Sequence, residues 1–246
     1  MTQPIIRFEG VSKAFGTQTV LRDFSLDVEP GAFVSIIGRS GCGKTTVLKL
    51  VNGLLSPDTG RVLIQGQDVA RIDPVALRRR IGYAIQNVGL FPHMTVEKNI
   101  AYVPAISGLE EWKGKQCREK VAALLKQVGL DPALAGRYPR ALSGGQRQAL
   151  TLLMATLQKP KLLLLDEHTA ALDPKNRRNL IEILRGLPCA MLIASHDLDF
   201  IYDTCDRVLL LYEGRIAADG PAEEILHDGA LLADCDLELP LRFQSI

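Results

Sequence analysis

The stretch that most constrains the fold of this 246-residue chain is a glycine-rich segment at residues 38–46. It fits the pattern G-x-x-x-x-G-K-[ST] at every position. The apolar run before it, residues 33–37, predicts a buried strand, and residues 47–51 predict a helix that stops at Asn52-Gly53. A strand, a glycine turn and a helix start in this order are typical of a loop that binds phosphates, and they disfavour the alternative of a plain surface turn.

The chemistry of this loop follows from its residue types. Glycines let the backbone point several N–H groups into one concavity, and the helix that follows adds its partial positive charge. We expect Lys44 to reach the outer phosphates of a nucleoside triphosphate and the Thr45 hydroxyl to hold Mg²⁺. The residues predicted to bind the nucleotide are Gly38, Arg39, Ser40, Gly41, Cys42, Gly43, Lys44, Thr45 and Thr46.

The charge balance argues against nucleic acid or an anionic membrane surface as a direct partner. The chain has 29 basic and 28 acidic residues, and its longest basic run, Arg78-Arg79-Arg80, is expected to be a solvated helix face. No uncharged apolar run approaches about 18 residues, so no membrane span is predicted and a membrane role would need a partner. The five scattered cysteines and the absence of a signal pattern indicate reduced thiols and a cytosolic setting.

Strand and helix patterns alternate along most of the chain. Residues 5–35 show the alternation of β-strands and residues 87–160 are mainly helical. Further strands are predicted at residues 61–64, 81–85, 161–165, 190–194, 208–211 and 215–218. This order predicts an α/β fold with a parallel, doubly wound sheet.

Two acidic residues end the most apolar strand, where open α/β sheets bind their ligands. The four leucines at 162–165 predict a strand covered on both faces. Asp166 is predicted to hold Mg²⁺, mostly through water, and Glu167 to orient or deprotonate the water that attacks the γ-phosphate. A pair of surface acids is the alternative, which the intact phosphate loop upstream disfavours.

A second helix start with the character of an anion site lies at Leu142-Ser143-Gly144-Gly145-Gln146. Ser143 is placed to cap the helix, and two glycines open it, so the helix dipole favours an anion there. One chain would then hold two phosphate-binding helix starts, and these residues alone leave open what the second one binds.

Six motifs follow the order and approximate spacing of the ATP-binding cassette ATPases, and the chain resembles this family over nearly its whole length. They are the Walker A loop at 38–46, the Q-loop glutamine Gln86, the signature at 142–146, Walker B at 162–167, the D-loop at 171–173 and the switch histidine His196. The resemblance implies a P-loop NTPase (RecA-like) core with an N-terminal antiparallel β subdomain and an inserted helical subdomain. It implies one nucleotide-binding domain, 1–246, with a RecA-like and β lobe at 1–86 and 160–246 and a helical, signature-containing subdomain at 87–159.

The resemblance also implies roles for single residues. Phe15 is expected to stack on adenine, Gln86 to sense Mg²⁺ and water, and His196 to contact the γ-phosphate. The implied catalytic residues are Glu167, His196 and Gln86, and the implied Mg²⁺ ligands are Thr45, Gln86 and Asp166. The residues expected to bind ATP held by a second copy are Ser143, Gly144, Gly145, Gln146 and Asp173.

Members of this family work as head-to-tail dimers with two ATP molecules between Walker A of one subunit and the signature of the other. The resemblance thus implies a cytoplasmic ATPase on the inner face of the membrane, partnered by a permease and by a second copy or a paralogue. Gln86 and residues 87–103 would form the docking surface for the permease. A DNA- or ribosome-acting member is disfavoured, because no long insertion is present; a nucleotide-binding module with little activity without its permease is the remaining alternative.

The resemblance to subfamilies is mixed. Residues 34–105 resemble osmoprotectant (glycine betaine/choline) importer ATPases, residues 142–175 amino-acid-type importer ATPases, and residues 190–246 cobalt/nickel energy-coupling ATPases. An engineered chimera and an unusual natural branch are both compatible with this mixture. His168 also stands where the family usually has proline, and the sequence does not reveal the transported solute.

Overall fold

The computed structural model of the chain describes residues 3–85, 89–166 and 174–244. One antiparallel sheet has the strand order β2-β1-β4-β5, and its strands lie between residues 6 and 68. Its strands are β1 (Ile6–Phe15), β2 (Gln18–Val28), β4 (Thr59–Ile64) and β5 (Gln67–Asp68). Strand β2 is continuous over its whole length, because Asp23 adopts a left-handed conformation (φ 48°) that absorbs a shift in register against β1.

A second sheet of six strands crosses the molecule in the order β10-β9-β3-β8-β7-β6. Its strands are β3 (Phe33–Ile37), β6 (Ile81–Ala84), β7 (Leu162–Asp166), β8 (Ala190–Ala194), β9 (Arg207–Tyr212) and β10 (Arg215–Pro221). The predicted parallel pairing is confirmed for all of these strands except β10. That strand is antiparallel to β9 because Glu213 and Gly214, both with positive φ, form a two-residue hairpin turn.

Nine α-helices connect and cover the strands in the described parts of the chain. They are α1 (Lys44–Val51), α2 (Pro74–Arg80), α3 (Val96–Ile106), α4 (Gly114–Gln127), α5 (Gly144–Thr156), α6 (Pro174–Arg185), α7 (Leu198–Thr204), α8 (Ala222–His227) and α9 (Gly229–Asp234). Short 3₁₀ turns lie at Val69–Arg71, Glu110–Trp112, Pro132–Gly136, Pro139–Ala141 and Leu241–Phe243. Within the described ranges, no helix has the length and apolar character that crossing a bilayer requires.

Three apolar clusters hold these elements together. The leucines of β7 alternate between two of them, Leu162 and Leu164 on one face of the large sheet and Leu163 and Leu165 on the other. All four are at most 2% exposed, which confirms that this strand is covered on both faces. The third cluster joins α3, α4 and α5, so the helical region has an apolar core of its own. The carboxyl ends of β3, β7 and β8 are thereby fixed side by side, and the candidate site lies at these ends.

Candidate nucleotide-binding site

The glycine-rich loop connects β3 to α1 through glycines whose positive φ or close packing disfavours other residues. Gly38, Gly41 and Gly43 have positive φ values of 148°, 82° and 114°. A Cβ on Gly38 would lie 2.3 Å from the carbonyl oxygen of Leu211, and one on Gly43 would lie 3.0 Å from the Val20 side chain. The loop is therefore tightly enclosed by neighbouring strands, and its backbone takes a course that favours glycine.

Lys44 lies inside the concavity of this loop. Its side chain is buried, and its Nζ donates to the carbonyl oxygens of Gly38 at 2.6 Å and Arg39 at 3.0 Å. These acceptors are neutral, so they engage two of the three N–H donors of the ammonium group without neutralising its charge. An anion beside the loop would meet that charge together with the N–H groups at the start of α1.

Asp166 and Thr45 meet at the base of the loop although they are far apart in sequence. The Thr45 Oγ1 donates to Asp166 Oδ1 at 3.0 Å, and Asp166 is only 3% exposed. The Tyr83 hydroxyl makes a longer contact, 3.5 Å, with Asp166 Oδ2, and burial together with the charge of Asp166 raises the pKa of Tyr83. A carboxylate and a hydroxyl side by side supply the oxygen atoms that Mg²⁺ prefers, so the residues present fit this ion.

Phe15 lies at the end of the β1–β2 hairpin with 48% of its surface exposed. Lys13 Nζ is 5.7 Å from the centre of its ring. The second strand of the same hairpin contacts the phosphate loop, since Val20 and Leu21 surround Gly43. Phe15 is thus an open aromatic surface on the hairpin that borders the loop, which is compatible with the predicted stacking role.

His196 is exposed and lies two residues after the end of β8. Because Ile36 of β3 pairs with Ala194 of β8, Gly38 and His196 both lie two residues beyond this pair, at the same level of the sheet. Both residues line one cavity of about 480 Å³. Its outer wall is the segment Leu237 to Leu241, which we call the C-terminal wall. The structure therefore brings the switch histidine and the phosphate loop to the same place.

The C-terminal wall is anchored at both ends, and sequence reasoning missed these anchors. Asp236 forms a 2.9 Å ion pair with Arg39 of the phosphate loop. Arg242 bonds the carboxylates of Asp199 at 2.8 Å and Asp203 at 2.7 Å, both on α7. The partners in these contacts are separated by between 39 and 197 positions in the sequence, so no local sequence signal could have found them.

A further ion pair that the sequence did not reveal lies next to the switch histidine. Arg177 on α6 approaches Asp197 at 3.4 Å and Asp203 at 3.8 Å. Asp197 also caps α7 by accepting from the Phe200 N–H at 2.9 Å. The residue after His196 is thereby tied to two helices.

The signature residues form the start of α5 as predicted. Ser143 Oγ accepts from the Gln146 N–H at 3.2 Å, and Gln146 Oε1 accepts from the Ser143 N–H at 2.9 Å, a complete capping box. The next N–H groups, of Gly144 and Gly145, have no acceptor within the helix, as at every helix start. Ser143 is exposed, and α5 packs against α3 and β6, whereas the phosphate-loop helix α1 packs against β4, β7 and β8.

Three predicted site residues, Gln86, Glu167 and Asp173, lie outside the described residues, as does His168. Their assigned roles stay predictions. Cys42 lies within the described loop and is partly buried; burial raises the pKa of its thiol although Lys44 is close. All five cysteines are free thiols in the structure.

Known proteins are similar to this chain in both sequence and fold. The glycine betaine/carnitine/choline transport ATP-binding protein OpuCA of Bacillus subtilis (strain 168) is 41% identical over 231 residues, which cover 92% of this chain and 60% of the relative. The spermidine/putrescine import ATP-binding protein PotA of Haemophilus influenzae (strain ATCC 51907 / DSM 11121 / KW20 / Rd) is 39% identical over 236 residues, 94% of this chain and 61% of the relative. The chain thus spans about three fifths of the length of these relatives. We expected a resemblance to osmoprotectant importer ATPases for the N-terminal part. The alignment with OpuCA extends this resemblance over nearly the whole chain.

Solved structures support the same assignment. A dimeric ATP-binding cassette in a post-hydrolysis state with ADP and Pi is 27% identical with a TM-score of 0.80, covering 88% of this chain and 98% of that one. CbiO1 of Clostridium perfringens, part of the ABC transporter complex CbiONQ, gives the same values with 94% of both chains covered. The predicted P-loop NTPase fold with its antiparallel β and helical parts is confirmed. The family model for ABC transporters matches residues 21–170, more than half of the 246 residues, so the chain belongs to the ABC transporter family, as an ATPase domain.

Proposed function

We propose that the chain binds and hydrolyses ATP as the ATP-binding subunit of an ABC-type importer. The observation that carries this proposal is the contact between Thr45 and Asp166 at the base of a loop that encloses Lys44. Phosphate binding needs the loop and the lysine, whereas hydrolysis also needs oxygen ligands for a divalent cation. Both sets of groups lie within one region of this structure.

ATP is held by three groups of contacts in this proposal. The loop residues, from Gly38 to Thr46, surround the phosphates with N–H groups, and the charge of Lys44 faces the β- and γ-phosphates. The exposed ring of Phe15 stacks on the adenine, as open aromatic rings do with bases. His196 contacts the γ-phosphate from the cavity that it shares with Gly38.

Thr45, Asp166 and Gln86 hold Mg²⁺ in this proposal. When bound, Mg²⁺ offsets the negative charge of the phosphate oxygens. Glu167 takes a proton from the attacking water, whose oxygen bonds to the γ-phosphorus while the bond from that phosphorus to the β–γ bridging oxygen breaks. The products are ADP and inorganic phosphate. Since Asp166 and Ala194 are paired in register, Glu167 and His196 follow the ends of neighbouring strands.

Each chain supplies only half of a complete hydrolytic site in this proposal. Ser143, Gly144, Gly145, Gln146 and Asp173 contact the ATP that a second copy or a paralogue holds in its phosphate loop. The exposure of Ser143 supports this assignment, and the Gly144 and Gly145 N–H groups have no acceptor within the helix. In one solved relative the cassette is dimeric. The whole chain, residues 1–246, is then one nucleotide-binding domain with the lobe and helical subdomain predicted above.

The proposed transmembrane partner is a permease that docks beside Gln86. The predicted docking segment ends in α3, where Tyr102, Val103 and Ile106 are 36%, 39% and 62% exposed. Such neighbouring exposed apolar side chains are typical of protein contact sites. The chain would then work at the cytoplasmic face of the membrane without contacting nucleic acid. The names of the relatives refer to the transport of glycine betaine, carnitine and choline or to the import of spermidine and putrescine. These names support a small organic cation or zwitterion as the solute.

Steady-state ATP hydrolysis by the purified chain tests this function. We expect Mg²⁺-dependent release of phosphate whose rate per chain rises with protein concentration, and its loss in Glu167→Gln. ATP binding should persist in that variant, which separates loss of chemistry from loss of folding. Absence of turnover in concentrated wild-type protein with Mg²⁺ and ATP would leave only a nucleotide-binding module.

A further inference from the structure

A basic groove lies at the end of the large sheet opposite the nucleotide site. Four cationic side chains, Arg79, Arg80, Lys159 and Lys161, line a cavity of about 360 Å³. Its apolar lining includes Ile64 and Ile81, which are 7% exposed. Cavities of this size accommodate small molecules rather than protein segments.

The backbone brings these cations together from two separate stretches of chain. Ile81 and Leu162 pair in the parallel β6–β7 ladder, so Arg80, the last residue of α2, and Lys161 immediately precede neighbouring strands. Neighbouring strands are about 5 Å apart. Lys159 follows α5 in a left-handed conformation (φ 49°), held by a 2.9 Å bond from its N–H to the Thr156 carbonyl. Arg80 and Lys161 therefore extend from neighbouring backbone positions, and both are exposed, so two like charges share this rim of the groove.

Capping of helix dipoles does not account for this much charge. The carboxyl ends of α2 and α5 face this region, and each contributes about −0.5 of an elementary charge. Against four positive side chains, two such ends leave about +3. Among the described residues that line the groove there is no Asp or Glu.

The third arginine of the basic run behaves differently from its neighbours. Arg78 donates to the carbonyl oxygens of Asn52 at 3.3 Å and Gly53 at 3.0 Å, which fixes it to the end of α1. All three arginines are exposed, as predicted for a solvated helix face, but Arg78 is in addition held by these backbone acceptors. Arg79 and Arg80 line the groove instead.

We propose that the basic groove binds a small anion carrying two or more phosphate or carboxylate groups. The arginines offer planar forks that match either group in a bidentate fashion, and the lysines add point charges. The apolar lining accommodates a hydrocarbon portion of the ligand. This site is distinct from the nucleotide site. Lys161 precedes β7 and Asp166 ends it, so the length of this strand separates the two residues by at least about 13 Å.

Calorimetric titration of the full chain tests the proposal, with citrate and inorganic tripolyphosphate as probes in Mg²⁺-free buffer. The groove variant is Arg79→Gln/Arg80→Gln/Lys159→Gln/Lys161→Gln. The matched control, Arg71→Gln/Lys98→Gln/Lys115→Gln/Lys126→Gln, removes the same charge from exposed positions elsewhere. Tripolyphosphate is titrated into Lys44→Ala versions of all three proteins, because the phosphate loop would otherwise bind it too. Circular dichroism verifies folding, and Lys159→Gln/Lys161→Gln replaces the groove variant if that protein does not fold.

We expect at least one probe to bind, and the groove variant to weaken its binding by about tenfold or more, since charge-assisted hydrogen bonds are lost. The control should change the affinity less than about twofold, because its charges are distant and screened. Binding of citrate alone assigns the groove to carboxylates, binding of tripolyphosphate alone to phosphates, and binding of both to multivalent anions in general. The proposal is overturned if neither probe binds, or if the groove variant and the control lose affinity equally.

Discussion

At the scale of single residues, the contact between Thr45 and Asp166 is the most informative one. We predict that Thr45→Ala lowers Mg²⁺-dependent ATP turnover by about a hundredfold or more, because it removes the hydroxyl, bonded here to Asp166, that we propose as a ligand of Mg²⁺. Thr45→Ser keeps the hydroxyl and should retain most of the activity. Phosphate release at saturating ATP provides the measurement. Equal activity in both variants would show that the hydroxyl has no part in hydrolysis.

A second prediction at this scale concerns Cys42 in the phosphate loop. Burial raises the pKa of its thiol, so only a small fraction is thiolate at neutral pH. Labelling by iodoacetamide should be slow at pH 7 and rise about tenfold per pH unit below that pKa. Bound ATP should block it, since the loop surrounds the phosphates in the proposed binding mode. Mass spectrometry of the labelled peptide gives the rate, with Cys42→Ser as control; labelling that ATP leaves unchanged would contradict the proposed site.

Cys189 provides an internal comparison for that experiment. Burial raises the pKa of its thiol to about 11, and its side chain is 6% exposed. It should stay unlabelled in the native protein at the pH values at which Cys42 reacts, because it lacks both thiolate and access. Labelling of Cys189 at the same rate would indicate unfolding rather than site chemistry.

At the scale of elements, local signals predicted much of the structure and distant contacts did not. The cap at Ser143 and the buried strand of leucines that ends at Asp166 were predicted because each depends on residues within one turn or one strand. The wall beside His196 could not be predicted, since the Arg39–Asp236 pair joins residues 197 positions apart. Periodicity and capping patterns carry no information on such pairs.

The anchor of the C-terminal wall leads to a stability prediction. Arg242 bonds Asp199 and Asp203 and lies over the Tyr202 ring at 4.8 Å. Arg242→Ala should lower the free energy of unfolding by about 1–2 kcal/mol, a value reduced for partial exposure of the pair. Urea titration gives the change. Arg215→Ala, on the exposed edge of β10, is the control and should stay within about 0.5 kcal/mol of wild type.

The same anchor should make stability depend on pH in a defined direction. Burial alone would raise the pKa of Asp199, but hydrogen bonds from Arg242 and from the Leu241 and Arg242 N–H groups outweigh it and lower the pKa. A carboxyl with a lowered folded-state pKa stabilises the fold above its unfolded-state value, about 3.9, and this contribution is lost as the pH falls through the folded-state value. The stability difference between wild type and Arg242→Ala should therefore be full at pH 7 and decrease below about pH 4. A difference that does not change with pH would show that packing, not charge, anchors the wall.

At the scale of the whole molecule, the open question is whether one chain forms a complete hydrolytic site. The phosphate loop and the signature belong to helices that pack against different partners, α1 against β7 and β8 and α5 against α3. The fold class could be predicted from the motifs and is confirmed, whereas the sharing of one ATP site between two molecules stays a prediction. In the proposed dimer, each chain contributes its phosphate loop to one ATP site and its signature to the other.

Substitution of Ser143 separates the two halves. Ser143→Arg places a large cation at the exposed helix start, where a second chain would bring its ATP, so turnover should fall at least about a hundredfold while ATP affinity of the isolated chain stays within about twofold. Ser143→Ala removes only the cap, at about 1 kcal/mol of stability, and should keep considerably more turnover. Ser107→Arg adds the same cation at another exposed helix end and should remain active.

Fluorescent-nucleotide titration gives the affinity of each variant, and phosphate release against protein concentration gives its turnover. If Ser143→Arg weakened ATP binding to the isolated chain as strongly as Lys44→Ala does, the signature would belong to the ATP site of its own chain. Turnover per chain that is independent of protein concentration would lead to the same conclusion. Loss of turnover with binding retained, and only in Ser143→Arg, requires instead that two copies of the chain share each ATP.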